Sequence, residues 1–325
     1  MRITRRGILG APALAIPALA TPALAQPDYP GRTVRLVVGY PPGGSTDLVA
    51  RLLAERLAAR WGQAVVVENR AGAGGALGAD YVAKSPPDGH TLLLGASAEM
   101  AILQSTMRNL AVNPERELTG VTWLTQQPFL VLVNPAVPAH TLAELVALAR
   151  AQPGRLNYGS FGNGTSTHLV GEMLRLGAGV DITHVPYRGS GPLLIDLLGG
   201  QVQFTFDTIP SALPHLREGR LRALALCHDK RLPAVAEVPT VAEAGLPYLV
   251  GATWAVLTAP ARVPEPVLHR ISEDARAIMR EGLGALLTSR GLDAVGASRE
   301  DTTAFLAAER RKWAAIAQRA EVRIE

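Results

Sequence analysis

The chain of 325 residues holds a single cysteine, Cys227, which excludes both an internal disulfide and a paired-cysteine metal site. Its seven histidines are scattered and none falls in an H-E-x-x-H spacing, so a zinc site has no support. Aromatic residues make up 5%, too few to advertise a stacking surface for single-stranded nucleic acid. Charged residues are also sparse at 18%, against 48% hydrophobic, a balance that belongs to a packed globular protein and not to a disordered one. No solenoid period, heptad repeat or low-complexity tail is present after the first 25 residues. No metal and no cofactor is expected. Cys227 sits in the apolar run "LRALALC" and reads as a small buried hydrophobe.

The opening, "MRITRRGILGAPALAIPALATPALAQ", has a basic start, an apolar middle and the small-residue triplet Ala23-Leu24-Ala25. That pattern predicts a secretion signal cleaved near Ala25 and a mature protein in the periplasm. The paired Arg5 and Arg6 suit the twin-arginine route and the Sec route alike. Pro12, Pro17 and Pro22 interrupt the apolar stretch, which argues against a spanning helix. No cysteine follows the triplet, which excludes a lipid anchor there. Cleavage would remove three of the 32 basic residues and none of the 28 acidic ones. The mature chain is then nearly neutral, and no nucleic-acid partner is expected.

Short β-rich runs alternate with helical patterns, the signature of α/β architecture with parallel strands. "TVRLVVGY", "AVVVEN" and "HTLLLGA" read as strands of a first block; "LNYGS", "THVPY", "VQFTFD" and "LRALALC" read as strands of a second. Two extended passages, "VTWLTQQPFLVLVNP" and "LVGATWAVLTAP", flank the second block. They predict two α/β domains joined by two crossover strands: 26–125 as the first part of domain 1, 126–250 as domain 2, and 251–325 returning to domain 1 with a C-terminal helix. Ser298 and Asp301 form a capping-box pattern at the start of that helix. Leu306, Trp313, Ile316 and Ala320 then keep helical spacing along a face suited to packing on a domain.

Candidate chemistry lies in two glycine-rich turns between a strand and a helix. In "VVGYPPGGSTDLVARLLAERL" the spacing from Gly39 nearly matches a phosphate-binding P-loop, but Ser45 stands in the lysine position. Gly43 and Gly44 allow a tight turn, and the free N–H groups of a helix start attract an anion. Ser45 and Thr46 add hydroxyl donors, while Asp47 suits a helix cap better than an anion contact. The second turn lies in "LNYGSFGNGTSTHLVGEML", where Ser160, Asn163, Thr165 and Ser166 surround Gly162 and Gly164. It misses the dinucleotide fingerprint, because Thr167 stands where the third glycine belongs.

Two such turns, one per domain, predict a pair of anion cradles facing one cleft. Hydrogen bonds to a charged group contribute ~1.5–3 kcal/mol each. A helix terminus adds up to ~2 kcal/mol. A few of these reach the micromolar range, about −8.2 kcal/mol, which is enough for one or two carboxylates. A triphosphate would call for a lysine and metal-binding carboxylates that the loop lacks.

Asp207, between a strand and a helix, suits an N-cap, an acceptor for a ligand ammonium, hydroxyl or water, or both. His168 lies four residues before Glu172 on one predicted helix and follows the second turn, within reach of the cleft. His184 reads as a strand-end structural residue, and Arg188 is a candidate cation. The esterase elbow G-x-S-x-G is absent, since Tyr158 replaces its first glycine. No local pattern selects a catalytic triad, so no enzyme is expected.

With these turns placed, the sequence resembles the Bug family, the solute-binding receptors of tripartite tricarboxylate transporters. The matching stretches include "GYPPGGSTD", "VENRAGAGGALGADYVAKSPPDGHTLL", "NYGSFGNGTSTHL", "HVPYRGSGPLLIDLLGGQVQFTFDTIPSALPHLREG" and "VPTVAEAGLP", in the family's order. The resemblance implies a two-lobed periplasmic binding fold of type II, a monomer closing on a small carboxylate and serving a membrane permease. It places the ligand loops at Tyr40 to Asp47 and Ser160 to Ser166, with Asp207 helping to set ligand class. Thr208 stands where asparagine is expected and Tyr40 where phenylalanine is frequent, so ligand identity stays open. A secreted phosphate-handling enzyme and a solute sensor for a signalling partner remain alternatives at this point.

Overall fold

The computed structural model describes residues 29–324. The expected secretion signal and its cleavage near Ala25 lie outside the described residues. Strand β1 (Val34–Val38) is flanked in parallel by β2 (Val65–Asn69) and β3 (Thr91–Gly95). Helix α1 (Ser45–Trp61) follows β1, and α2 (Ala76–Ala83) connects β2 to β3. Alternate residues of these strands feed opposite layers. Leu36, Leu92 and Leu94 pack with Val49, Leu53 and Leu57 of α1, while Val37 and Leu93 face Ala79 and Val82 of α2. Apolar runs buried on both faces are what a helix-covered parallel sheet requires. Each such leucine removed from water contributes ~1.5–3 kcal/mol.

The glycine-rich stretch before α2 has a packing reason. A Cβ on Gly39 would lie 2.7 Å from the Cα of Gly75, and Gly75 itself holds φ +97. The loop can therefore pass against the end of β1 only without side chains at both points.

After a turn at Ala98–Ile102 and the short helices α3 (Leu103–Thr106) and α4 (Pro114–Glu117), β4 (Leu118–Val133) runs for 16 residues. Its partners change along its length. Leu118 to Pro128 pair antiparallel with β9 (Ala252–Pro260), and Phe129 to Val133 pair with β7 (Phe204–Thr208). Opposite β7, Leu130 to Val133 meet β8 (Arg222–Leu226), and opposite β9, Thr125 and Gln126 meet β10 (Asp293–Ala294). The complete order is β2-β1-β3-β9-β4-β7-β5-β6, with β5 (Asn157–Ser160) parallel to both β7 and β6 (Thr183–Pro186). The two extended passages read from the sequence are thus β4 and β9, lying side by side. Two α/β lobes hang on them.

The second lobe carries α5 (Leu142–Ala151), α6 (Ser166–Ala178), α7 (Ser190–Leu198) and α8 (Ile209–Arg217). Phe129, Val131, Tyr158, Phe204 and Phe206 pack with Leu169 and Leu174 of α6; Leu130 and Leu132 pack with Leu193, Leu197 and Ile209. The last part of the chain, α9 (Glu265–Ile278), α10 (Gly284–Ser289) and α11 (Arg299–Arg319), covers the first lobe. At the start of α11 the Ser298 Oγ accepts from the Asp301 amide at 3.0 Å. The Glu309 carboxylate accepts from both Trp254 Nε1 (2.9 Å) and Trp313 Nε1 (2.8 Å), tying α11 to β9. Leu306 and Trp313 are buried as their spacing predicts, and Ile316 is half-buried.

Candidate functional site

Ligands of open α/β sheets settle beyond the carboxyl ends of parallel strands. Three such ends meet here. The chain leaves β1 into α1, β5 into α6, and β6 into α7, and all three helices begin with serine: Ser45, Ser166 and Ser190. Their N-cap residues, Gly44, Thr165 and Gly189, place no side chain on the first-turn amides. A helix start left in this state presents unsatisfied N–H groups and the positive end of its dipole. The three serines, with Gly44, Thr46, Asp47 and Thr165, line one small cleft of about 30 Å³ between the lobes. Tyr40, Pro41, Ala96, Phe161 and Thr253 complete it. No lysine or arginine lines this space. The cleft presents dipoles and hydroxyls.

The first cradle is braced by charge. The Asp47 carboxylate accepts from the Gly43 amide (3.2 Å), from Asn69 Nδ2 (2.9 Å), and from Arg51 through two bonds of 2.9 Å. Burial pushes its pKa up, but the bonds to Arg51, Asn69 and Gly43 outweigh it and hold the group below the usual carboxylate range. Asp47 therefore closes its own loop from inside the first helical turn, and Gly44, not Asp47, is the N-cap of α1. The Ser45 hydroxyl donates to Gln127 Oε1 at 2.5 Å, joining the cradle to the crossing strand β4. Behind it, Tyr40 Oη donates to Glu99 Oε2 (2.9 Å), and the Ala96 amide donates to Glu99 Oε1 (2.7 Å). Burial raises the Glu99 carboxyl to about 7 and the Tyr40 phenol well above its ordinary value.

The second cradle is braced by neutral groups. Thr165 Oγ1 donates to the Gly162 carbonyl (2.8 Å), and Thr167 Oγ1 accepts from the Phe161 amide (2.9 Å). The Gly164 amide donates to His168 Nδ1 at 3.1 Å, so that nitrogen carries no proton. His168 stacks on His184 with ring centroids 3.9 Å apart, and His184 Nε2 bonds the Ser160 hydroxyl at 2.6 Å. Burial pushes both imidazoles down, His184 to about 3 with help from its stacked neighbour. His168 makes no hydrogen bond to Glu172; that carboxylate is taken by Tyr158 Oη (3.0 Å) and Arg175 Nε (2.7 Å).

The residues singled out from the sequence thus divide. Tyr40, Gly44, Ser45, Thr46, Asp47, Thr165 and Ser166 line the cleft. Gly43, Ser160, Gly162, Gly164 and His168 shape the loops behind it, and Asn163 is exposed. Arg188 is also exposed and outside the lining. Asp207 is fully buried and reaches the cleft only through Ser190, whose hydroxyl donates to Asp207 Oδ2 at 2.6 Å. Its Oδ1 accepts from the Thr208 amide at 2.7 Å, and Thr208, not Asp207, is the N-cap of α8. Burial raises the Asp207 carboxyl to about 7.

Sequence reasoning missed Ser190, Ser97, Thr253 and Gln127. Ser97 Oγ bonds Thr253 Oγ1 (2.9 Å) within the first lobe and donates to Ser166 Oγ (3.0 Å) across the cleft. Ser190 had a signal: "YRGSGP" is a third glycine turn between strand and helix, with Gly189 at φ +135. The others are strand and turn residues with no local pattern. Among the described residues no group of three or more His, Cys, Asp or Glu side chains could hold a metal.

Comparison with known proteins places the chain by family and fold. The family described as the tripartite tricarboxylate transporter family receptor matches residues 49–322. Protein BugT of Bordetella pertussis is 37% identical over 290 residues, covering 89% of each chain. A Rhodopseudomonas palustris protein solved with adipate superposes with a TM-score of 0.89 at 36% identity, over 91% of this chain and 99% of the other. MatC from the same species, solved with malate, gives 0.84 at 33% identity, over 89% and 99%.

Proposed function

The chain belongs to the tripartite tricarboxylate transporter receptor family, and from that membership we propose that it captures a small organic carboxylate between its lobes and delivers it to a membrane permease. Members of the family are periplasmic solute-binding receptors. On this reading the export signal is removed near Ala25. Residues 26–125 and 251–325 make one lobe and 126–250 the other, and the receptor works as a monomer without cofactor. One observation carries the proposal: three uncapped helix starts, each headed by serine, converge on a cleft with no cationic side chain. Such donors fit a carboxylate, whose charge is met by several dipoles at once. A phosphoester enzyme would need a cation or a free general base there. The one carboxylate of the lining, Asp47, is engaged by Arg51, Asn69 and Gly43.

At about 30 Å³ the cleft has room for one carboxylate head and little else, so an acid enters as the lobes part and is sealed as they return. The contacts that yield include the Ser97–Ser166 bond and the seat of Gly164 against Leu103 and Ile324. The test is thermal unfolding of the purified protein with a panel of mono- and dicarboxylates. A ligand at a hundredfold excess over Kd contributes about 2.7 kcal/mol, which raises the midpoint by several degrees. A panel of C3 to C10 acids that leaves the midpoint unmoved would remove the proposal.

A further inference from the structure

Beside the inner cleft lies a larger space of about 330 Å³, and the two share the wall made by Gly44, Ser45 and Asp47. It runs between α1 of one lobe and α8 of the other. Both helices present one face to it at helical spacing. On α1 this is Gly44, Leu48 and Arg51; on α8 it is Pro210, Leu213 and Arg217. Each face is small at the cleft, apolar in the middle and cationic at the far end. Arg290 joins the same wall from the first lobe, next to Gly291, which passes so close to the second lobe that an added Cβ would lie 2.4 Å from Ile209 Cγ2. Arg51 is spent on Asp47 and Asn69. Arg217 and Arg290 are exposed, and their side chains have no hydrogen-bonding or ion-pair partner among the described residues.

We propose that this outer space is a second carboxylate subsite, and that the preferred ligand is a long dicarboxylate with an apolar spacer. The inference rests on the receptor reading above. The inner cleft has room for one carboxylate head and little else, so the spacer must leave it along the Leu48 and Leu213 walls. The seven-residue span of either face is about 10 Å at ~1.5 Å per residue. An extended chain advances about 1.1–1.2 Å per bond, so a second carboxylate reaches the Arg217 and Arg290 end at about eight to ten carbons.

The experiment measures Kd by calorimetry for succinate, adipate, suberate, azelate and octanoate, on the native chain and on the double variant Arg217→Gln, Arg290→Gln. The expected result is tightest binding by suberate or azelate. Octanoate, which has the spacer but no second charge, binds about five- to tenfold more weakly. The double variant brings suberate to the octanoate level and leaves succinate unchanged. Raising the salt concentration weakens suberate more than succinate, a readout that needs no variant. Affinity that is flat or falls with length, or a loss that is equal for all acids, overturns the subsite and leaves the receptor reading standing. Failure of every acid, succinate included, overturns both.

Discussion

The two cradles make the same kind of grip from opposite materials. At the first, a carboxylate shared by Arg51, Asn69 and the Gly43 amide pins the loop, with a buried Glu99 behind Tyr40. At the second, no charged side chain among the described residues hydrogen-bonds the loop. Threonine hydroxyls and the stacked His168–His184 pair hold it. The cleft-facing surfaces are alike, uncapped amides plus serine, so the difference lies in the support. The first loop's support depends on a carboxylate keeping its charge, and the second's on an imidazole staying neutral. The two should therefore fail under different insults.

The largest effect comes from filling the shared space, where the difference in support does not matter. Ser45→Phe and Ser166→Phe each place a ring in a cleft of about 30 Å³. Both are expected to weaken carboxylate binding by more than about 100-fold, ~2.7 kcal/mol, since two lost charge-assisted hydrogen bonds alone cost ~3–6 kcal/mol. If either variant bound its acid normally, that cradle would not face the ligand. Next in size is the removal of each brace. Asp47→Ala leaves Arg51, Asn69 and the Gly43 amide without their acceptor, at a cost of about 1–3 kcal/mol in stability. His168→Ala removes one neutral acceptor from the Gly164 amide and should cost about 1 kcal/mol. Urea denaturation of the two variants measures the contrast, and equal losses would erase it.

Acid separates the cradles more sharply. Burial lowers both imidazoles, so the unfolded chain takes up their protons more readily than the folded one. Stability from this pair is complete above the ordinary histidine value near 6.5 and falls as pH drops toward about 3 for His184. Asp47 is shifted below its ordinary value, and its contribution persists until the pH falls beneath the usual carboxylate range. Between pH 7 and pH 4.5, the protection of the Gly164 amide against hydrogen exchange, relative to its intrinsic rate at each pH, should therefore fall severalfold while that of Gly43 holds steady. Asp207, raised to about 7, runs the other way. Its protonated form suits the fold, so its contribution is present at low pH and is lost as pH rises through about 7. It acts on the Ser190 loop and leaves the Gly43 and Gly164 comparison untouched.

Much of this site was legible because its chemistry is local. A glycine turn, short hydroxyl residues and a helix start occupy a dozen consecutive residues, and the P-loop spacing with Ser45 in place of lysine already pointed to an anion weaker than a triphosphate. The α/β fold was equally legible, since alternating apolar runs and helical faces recur down the chain. The unread parts are those decided by pairing across distance. Gln127 meets Ser45 only because β4 crosses both lobes, and Ser97 meets Thr253 only because β9 lies beside β3. Asp207 looked like a helix cap or a ligand contact because both roles favour a carboxylate after a strand. Its burial against Ser190 depends on how α7 sits over β7, which no spacing within "FDTIPSALPHL" encodes.

The smallest expected effect tests a single neutral bond between the lobes at the cleft. Ser97 donates to Ser166 at 3.0 Å, and Ser97 also pairs with Thr253 at 2.9 Å. Ser97→Ala removes both bonds while leaving each cradle's brace intact. Neutral hydrogen bonds of this kind contribute ~0.5–1.5 kcal/mol. The Thr253 bond lies within one lobe and forms whether the cleft is open or shut, so only the Ser166 bond biases closure. The variant should bind the acid about two- to tenfold more weakly through faster release, because closure is what the lost bond stabilised. Stopped-flow measurement of association and dissociation separates the two. A slower association with unchanged release would mean that the bond shapes the open cleft instead, and that the lobes are held shut by the ligand and the braced loops alone.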